Sequence, residues 1–308
     1  MKRLIHFIMN IKLPAWSFLL ALLAAGLSAA ESIPLAIFTD PVPDRSFPPQ
    51  MVAVSIPSGG DAMNGIIYVP SGAGPHPGLV LLHGFPGNER NLDLAQAARR
   101  AGWSVLVVHY RGSWGSGGAF SFRHAIEDSA AAVAFLRSDD VTKRARVAKN
   151  RIAIAGHSMG GFMAAITAAR DPAIVGLGMI SSWNMGYTVN PTVKGRADRA
   201  SGLKFMAGSV RQLAGCTAES LVDEALAHQR EWDFVEFAPA LAGRPLLLVS
   251  ASGDNNGPQS DALAAKLKKS GGGAHVTDLH LETDHSYSDK RIALQAEFLR
   301  WLERVKET

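Results

Sequence analysis

Gly156-His157-Ser158-Met159-Gly160-Gly161 is the stretch of this sequence with the most chemical content. A serine hydroxyl is a weak nucleophile until a base takes its proton and the backbone leaves it exposed. The G-x-S-x-G spacing answers the second need. Small flanking residues let a strand turn sharply into a helix, with the serine at the apex and the first helical amides aimed at the reacting atoms. Alone the pattern is weak, since a chain this rich in glycine produces it by chance about 0.2 times. Its surroundings decide: the apolar run Ile152–Ala155 enters it, and the Ala-rich segment Phe162–Ala169 leaves it in helical rhythm.

A nucleophilic serine needs a base, an acid to orient the base, and donors for the developing oxyanion. Three histidines follow Ser158 late in the chain: His275, His280 and His285. The first two flank or occupy a strand-like run. His285 lies beyond it in Thr283-Asp284-His285-Ser286-Tyr287, a loop position from which a ring can reach a serine, and it is the expected base. The expected acid is Asp254, in the loop Ser250–Asn256 after the apolar run Leu246–Val249. Its rivals are Asp261, already in the next helical segment, and Asp233, in a polar helical region. His83-Gly84-Phe85-Pro86-Gly87 follows the apolar run Leu79–Leu82. The backbone N–H groups of Phe85 and Met159 are the expected oxyanion donors, with His83 bracing the loop and His157 structural.

Elements must bring these distant residues together. Val52–Ile56 and Gly65–Val69 read as an antiparallel pair joined at Ser58–Asp61. Leu79–Leu82, Val105–Val108, Ile152–Ala155, Val175–Ile180, Leu246–Val249 and Val276–Leu281 read as strands. Helical patterns over Leu92–Ala101, Ile126–Leu136, Phe162–Ala169, Ala262–Leu267 and Ala293–Val305 fall between or after them. This alternation predicts an α/β fold, a mostly parallel eight-stranded sheet with helices on both faces. Residues 184–240 break the rhythm. They are polar and helical (Leu203–Leu213, Ala218–Gln229) and read as a helical cap inserted between two strands.

The four sites together resemble the α/β-hydrolase superfamily. Tyr110-Arg111-Gly112-Ser113-Trp114-Gly115-Ser116-Gly117, Gly253–Asn256 and Asp284–Tyr287 are similar to the catalytic domains of the prolyl oligopeptidase (S9) group and of dienelactone-hydrolase-like esterases. The resemblance spans residues 52–305. It implies a Ser158–His285–Asp254 serine hydrolase acting on a carboxylic ester. The alternatives are an S9-type dipeptidyl- or acylaminoacyl-peptidase and a catalytically silent binding protein of the same fold. For the peptidase, Asp223, Glu224, Glu231 and Asp233 are candidates for holding a free amine.

Composition bounds partners and place. In 308 residues, 47% hydrophobic and 19% charged, there is apolar material for one large core. Lys2, Arg3 and Lys12 precede an apolar run, Leu13–Leu27, that ends in Ser28-Ala29-Ala30. This reads as a signal peptide over residues 1–30, cleaved near Ala30, leaving a domain over 31–308 exported to the periplasm or exterior. Three of the charges behind the formal +4 sit in that leader, so the remainder is close to neutral. Neither nucleic acid nor a membrane surface is an expected partner after cleavage; a small-molecule ester or short acyl-peptide is. Cys216 is the single cysteine and no histidine cluster has ligand spacing, so no disulfide, metal or cofactor is expected.

Overall fold

The apolar runs become the inner strands of one eight-stranded sheet, and each strand's alternation divides its side chains between two cores. In β3 (His76–Leu82), Val80 and Leu82 enter one core while Leu79 and Leu81 enter the other. The same split holds for β4 (Ser104–Val108), β5 (Val147–His157) and β7 (Leu246–Ala251), so these strands are apolar on both faces. The computed structural model describes residues 32–189 and 199–308. The expected leader lies outside the described residues, as do residues 190–198 of the 184–240 insertion. Residues 32–34 carry no regular structure, and Leu35–Thr308 forms one compact unit.

β1 (Gln50–Ser58) and β2 (Asp61–Val69) pair antiparallel across the turn Gly59-Gly60, and β2 pairs antiparallel with β4. With β6 (Ile174–Ile180) and β8 (Val276–Leu281), the remaining strands run parallel in the order β1-β2-β4-β3-β5-β6-β7-β8. The chain is thus an α/β fold with a mostly parallel eight-stranded sheet.

Helices α1 (Leu92–Arg100) and α10 (Arg291–Glu307) cover one face; α2 (Phe122–Leu136) and α4 (Met159–Arg170) cover the other. The short α3 (Asp139–Arg144) precedes β5. Between β6 and β7 lie α5 (Met185–Val189), α6 (Arg199–Ser209), α7 (Ala218–Ala227) and α8 (Ala238–Leu241), and α9 (Gly257–Lys269) follows β7. Among the described residues, no helix is long and apolar enough to cross a membrane.

Register sets the site. Leu82 pairs with Gly156, so two residues further on Gly84 faces Ser158. Ile180 pairs with both His157 and Val249, and Ala251 pairs with Leu281. The loops holding Gly84, Ser158, Asp254 and His285 therefore leave the sheet at one level, beyond the C-terminal ends of parallel strands. Sheets of this kind bind ligands there.

Candidate active site

Ser158 occupies a backbone conformation that side chains rarely adopt, φ 56° and ψ −121°. Holding a non-glycine residue there costs on the order of 1–3 kcal/mol, which the surrounding fold must supply. The turn is clamped on both sides: the Ser158 amide donates to Ile180 O at 2.9 Å, and its carbonyl accepts from the Trp183 amide at 3.0 Å. Glycine is obligatory at two neighbours. A Cβ on Gly156 would lie 2.1 Å from Gly160 O, and one on Gly160 would lie 2.3 Å from Leu82 O.

Asp254 and His285 meet directly, with His285 Nδ1–H donating to Asp254 Oδ2 at 2.9 Å. Burial alone would raise the Asp254 carboxyl. The His285 ring, the Asn256 amide at 2.9 Å and a contact with Ser181 outweigh it and hold the carboxyl below its ordinary value. It is therefore an anion at neutral pH, able to fix the ring tautomer with Nε2 free. Ser158 reaches this pair through its neighbour. His157 Nε2–H donates to His285 O at 2.8 Å, and the two rings are 4.6 Å apart. Among the described residues, Ser158 Oγ makes no hydrogen bond to the His285 ring; such bonds commonly tighten only when substrate is present.

The Gly84–Phe85 loop sits over the serine, with the Gly84 Cβ position 2.9 Å from Ser158 Cβ. Its carbonyls are tied off. His83 Nδ1–H donates to Gly84 O at 2.7 Å, the Tyr110 hydroxyl to His83 O at 3.2 Å, and Trp114 Nε1–H to Pro86 O at 2.8 Å. Among the described residues, neither the Phe85 nor the Met159 amide has a hydrogen-bond acceptor. Fixed carbonyls and unpaired amides are what an oxyanion site requires. Burial pushes His83 down to about 3, so it acts as a neutral brace. His157, equally buried, is likewise pushed down to about 3 and stays neutral.

The rival residues have other work. Asp261 lies in α9, 3.2 Å from His280 on β8. Asp233 Oδ1 accepts from Asn184 Nδ2 at 2.8 Å and from the Val235 amide at 3.0 Å. His275 ends a short 3-10 turn before β8.

Sequence reasoning missed the support around the acid. Ser181 Oγ and the Tyr287 hydroxyl are 2.8 Å apart, Tyr287 donates to Val249 O at 3.1 Å, and Asn256 Nδ2 donates to Ser181 O at 3.0 Å. Burial keeps the Tyr287 phenol protonated, well above its ordinary value. The signal available was position: Ser181, Asn256 and Tyr287 each fall just past a strand end or beside a site residue.

A family model described as alpha/beta hydrolase fold matches residues 77–288. No curated protein sequence matches the chain. Among solved structures it is similar to EstE1, a thermophilic carboxylesterase cloned from a metagenomic library, with TM-score 0.61, 22% identity, and coverage of 88% of this chain and 92% of that one. It is also similar to a Pyrobaculum calidifontis esterase (TM-score 0.59, 22% identity, 84% and 82%). The acylaminoacyl peptidase of Pyrococcus horikoshii gives TM-score 0.61 and 19% identity, over 83% of this chain but only 42% of the peptidase. With the family match spanning most of the sheet and all four loops of the site, the chain belongs to the alpha/beta hydrolase fold family.

Proposed function

We propose that this chain is an exported serine hydrolase that cleaves carboxylic esters through an acyl-enzyme, with Ser158 as nucleophile, His285 as base and Asp254 as acid. The observation that carries the reading is the Asp254–His285 hydrogen bond beside a strained serine and two amides without acceptors.

In the first half-reaction His285 Nε2 takes the Ser158 proton as Oγ bonds to the ester carbonyl carbon. The carbonyl electrons move onto oxygen, where the Phe85 and Met159 amides receive them. Collapse breaks the bond to the alkoxy group, which leaves as an alcohol carrying the proton from His285. Water then adds to the acyl-enzyme with His285 again as base, and Ser158 is regained as the acid product departs. Asp254 stays ionised throughout and stabilises the imidazolium.

An apolar acyl group suits the surroundings. The Trp183 amide donates to the Ser158 carbonyl, and Phe85 follows Gly84, whose Cβ position lies against Ser158, so two aromatic residues are attached to the backbone around the serine. Phe205 of α6 lies 6.0 Å from the Trp183 ring and 6.3 Å from the Phe85 ring, closing an aromatic wall.

The peptidase alternative draws support from the acylaminoacyl-peptidase likeness. Against it, the cap carboxylates that a free amine would need are engaged. Asp223 pairs with Arg199, Glu224 accepts from the Phe122 and Arg123 amides, Glu231 meets His228, and Asp233 caps the next turn.

The deciding experiment pairs a fluorophosphonate probe with chromogenic substrates. Labelling lost in Ser158→Ala, and an ester cleaved faster than the amide of the same acyl group, are the expected results. Folded wild-type protein that takes no label would leave the non-catalytic alternative standing. Faster amide cleavage would favour the peptidase. Export rests on the basic and apolar character of residues 2–27 and the small residues at 28–30. Sequencing the N-terminus of protein from the periplasmic fraction, with a start near Glu31 expected, tests it.

A further inference from the structure

The sheet edge that carries the acid and the base also holds a second set of ligating side chains. Asp278 and His280 are two residues apart on β8 and so project from the same face. Asp261 comes from α9, which lies against that strand. His280 Nε2 is 3.2 Å from Asp261 Oδ1 and 3.9 Å from Asp278 Oδ1, and one ligating atom from each residue falls within 4.8 Å of the other two. Ligand atoms around an ion at about 2.1 Å lie roughly 3.0–3.4 Å apart in octahedral or tetrahedral arrangement.

Two further observations separate this cluster from a chance gathering of charge. The first is the orientation of the ring. His280 Nδ1 is 2.6 Å from Ser250 Oγ; Ser250 is buried, and its hydroxyl lies 3.5 Å from Leu279 O. A hydroxyl that donates to Leu279 O accepts the Nδ1 proton, which leaves the Nε2 lone pair facing two carboxylates. That is the tautomer and support a metal-binding histidine requires. The second is Asp278 Oδ1, a buried carboxylate oxygen with no hydrogen-bond partner, placed on the same Nε2. A cation supplies the partner that this oxygen lacks.

We propose that Asp261, Asp278 and His280 bind a first-row divalent metal ion, with zinc held more tightly than manganese and water completing the coordination. One imidazole with two carboxylates is a borderline donor set, and the imidazole counts against magnesium and calcium. The ion would be a clip rather than a reagent. Asp254 lies in the loop between Ser250 and Asp261, and His285 follows His280 by five residues. A metal joining α9 to β8, with Ser250 of β7 behind the ring, would fasten the segments from which the acid and base loops leave. The spacing of these residues along the chain follows no ligand motif, so the expectation of a metal-free chain could not register them.

The test is calorimetric titration of tag-free protein with zinc, manganese and magnesium chlorides, together with thermal denaturation with and without zinc. Expected are one zinc per chain, a raised melting temperature, manganese at least tenfold weaker, and no heat from magnesium. His280→Gln should abolish this binding. Asp261→Asn, at an exposed position that leaves folding untouched, should weaken it at least tenfold, and Ser250→Ala by about tenfold through loss of the ring's support. Wild-type protein that takes up no zinc overturns the proposal. So does zinc bound equally by wild type, His280→Gln and Asp261→Asn, which would place the ion elsewhere.

Discussion

Asp254 is the residue at which the proposed chemistry is most exposed to test. In the proposed mechanism its carboxylate does no bond-making, yet it sets which nitrogen of His285 faces the serine. Asp254→Asn keeps the shape and reverses the hydrogen-bond logic, since a side-chain amide can donate to Nδ1 and leave the proton on Nε2. A loss of about 10⁴ in kcat with little change in stability is expected for a relay of this kind. Steady-state ester hydrolysis, with circular dichroism as the folding control, measures it; a loss below tenfold would show that the carboxylate does not orient the base. The proposed oxyanion donors, the Phe85 and Met159 amides, are backbone groups and cannot be deleted one atom at a time. Their bracing can be. Tyr110→Phe removes the hydroxyl on His83 O, and a fall in kcat with unchanged KM is the expected signature of a loop that still binds ester but holds its amide less well.

At the scale of elements, the proposed function gives the helices between β6 and β7 the task of selecting what reaches the serine. Glu224 of α7 accepts from the first two amides of α2, at 2.8 Å from Phe122 N and 3.0 Å from Arg123 N. A carboxylate at a helix N-terminus both caps orphan donors and answers the positive end of the helix. Glu224→Ala should cost about 1 kcal/mol of stability, read as a shift in urea midpoint at unchanged slope. Phe205 on α6 is 59% exposed yet meets the Phe85 and Trp183 rings. Phe205→Ala is expected to lower kcat/KM roughly tenfold for a long apolar acyl ester while sparing the acetyl ester. Equal losses on both would remove Phe205 from the acyl wall.

These elements were unevenly legible beforehand. β8 coincides with the strand read from sequence, Val276–Leu281, although Thr277, Asp278 and His280 interrupt its apolar residues. The interior strands showed as continuous Val, Ile and Leu runs because both their faces are buried. Strand ends did not show: β5 begins at Val147, well before Ile152, through the polar Lys149, Asn150 and Arg151. Short helices such as Asp139–Arg144 and Met185–Val189 are set by tertiary contacts and lack enough turns to display a period. Asp254 and His285 could be chosen from sequence because each stands in a loop after a strand. The Ser181–Tyr287–Asn256 network was marked only by the position of its members; their joining depends on three strand ends arriving at one level, a consequence of register that periodicity does not encode.

For the molecule as a whole, three histidines at or just past the C-terminal ends of β3, β4 and β5 sit where burial opposes their protonation. His83 and His157 are completely buried and pushed down to about 3, and His109, less buried, to about 4, with burial the leading cause in each. In the unfolded chain these rings titrate near 6.5. Below that pH the unfolded state binds protons the native state refuses, so stability is greatest above about pH 6.5 and falls as the solution is acidified toward the folded values. Each fully buried ring contributes a slope of up to about 1.4 kcal/mol per pH unit across that window. Asp254 acts lower: its depressed carboxyl adds stability above about pH 4, which is lost as pH falls further. Denaturant midpoints at several pH values between 7 and 4 should therefore fall steadily. His157→Gln, which keeps a donor for His285 O, should make that fall shallower by one proton's worth. A wild-type profile flat from pH 7 to 4 would mean that these rings exchange protons with solvent in the folded state, and that the braces around Ser158 are looser than their burial requires.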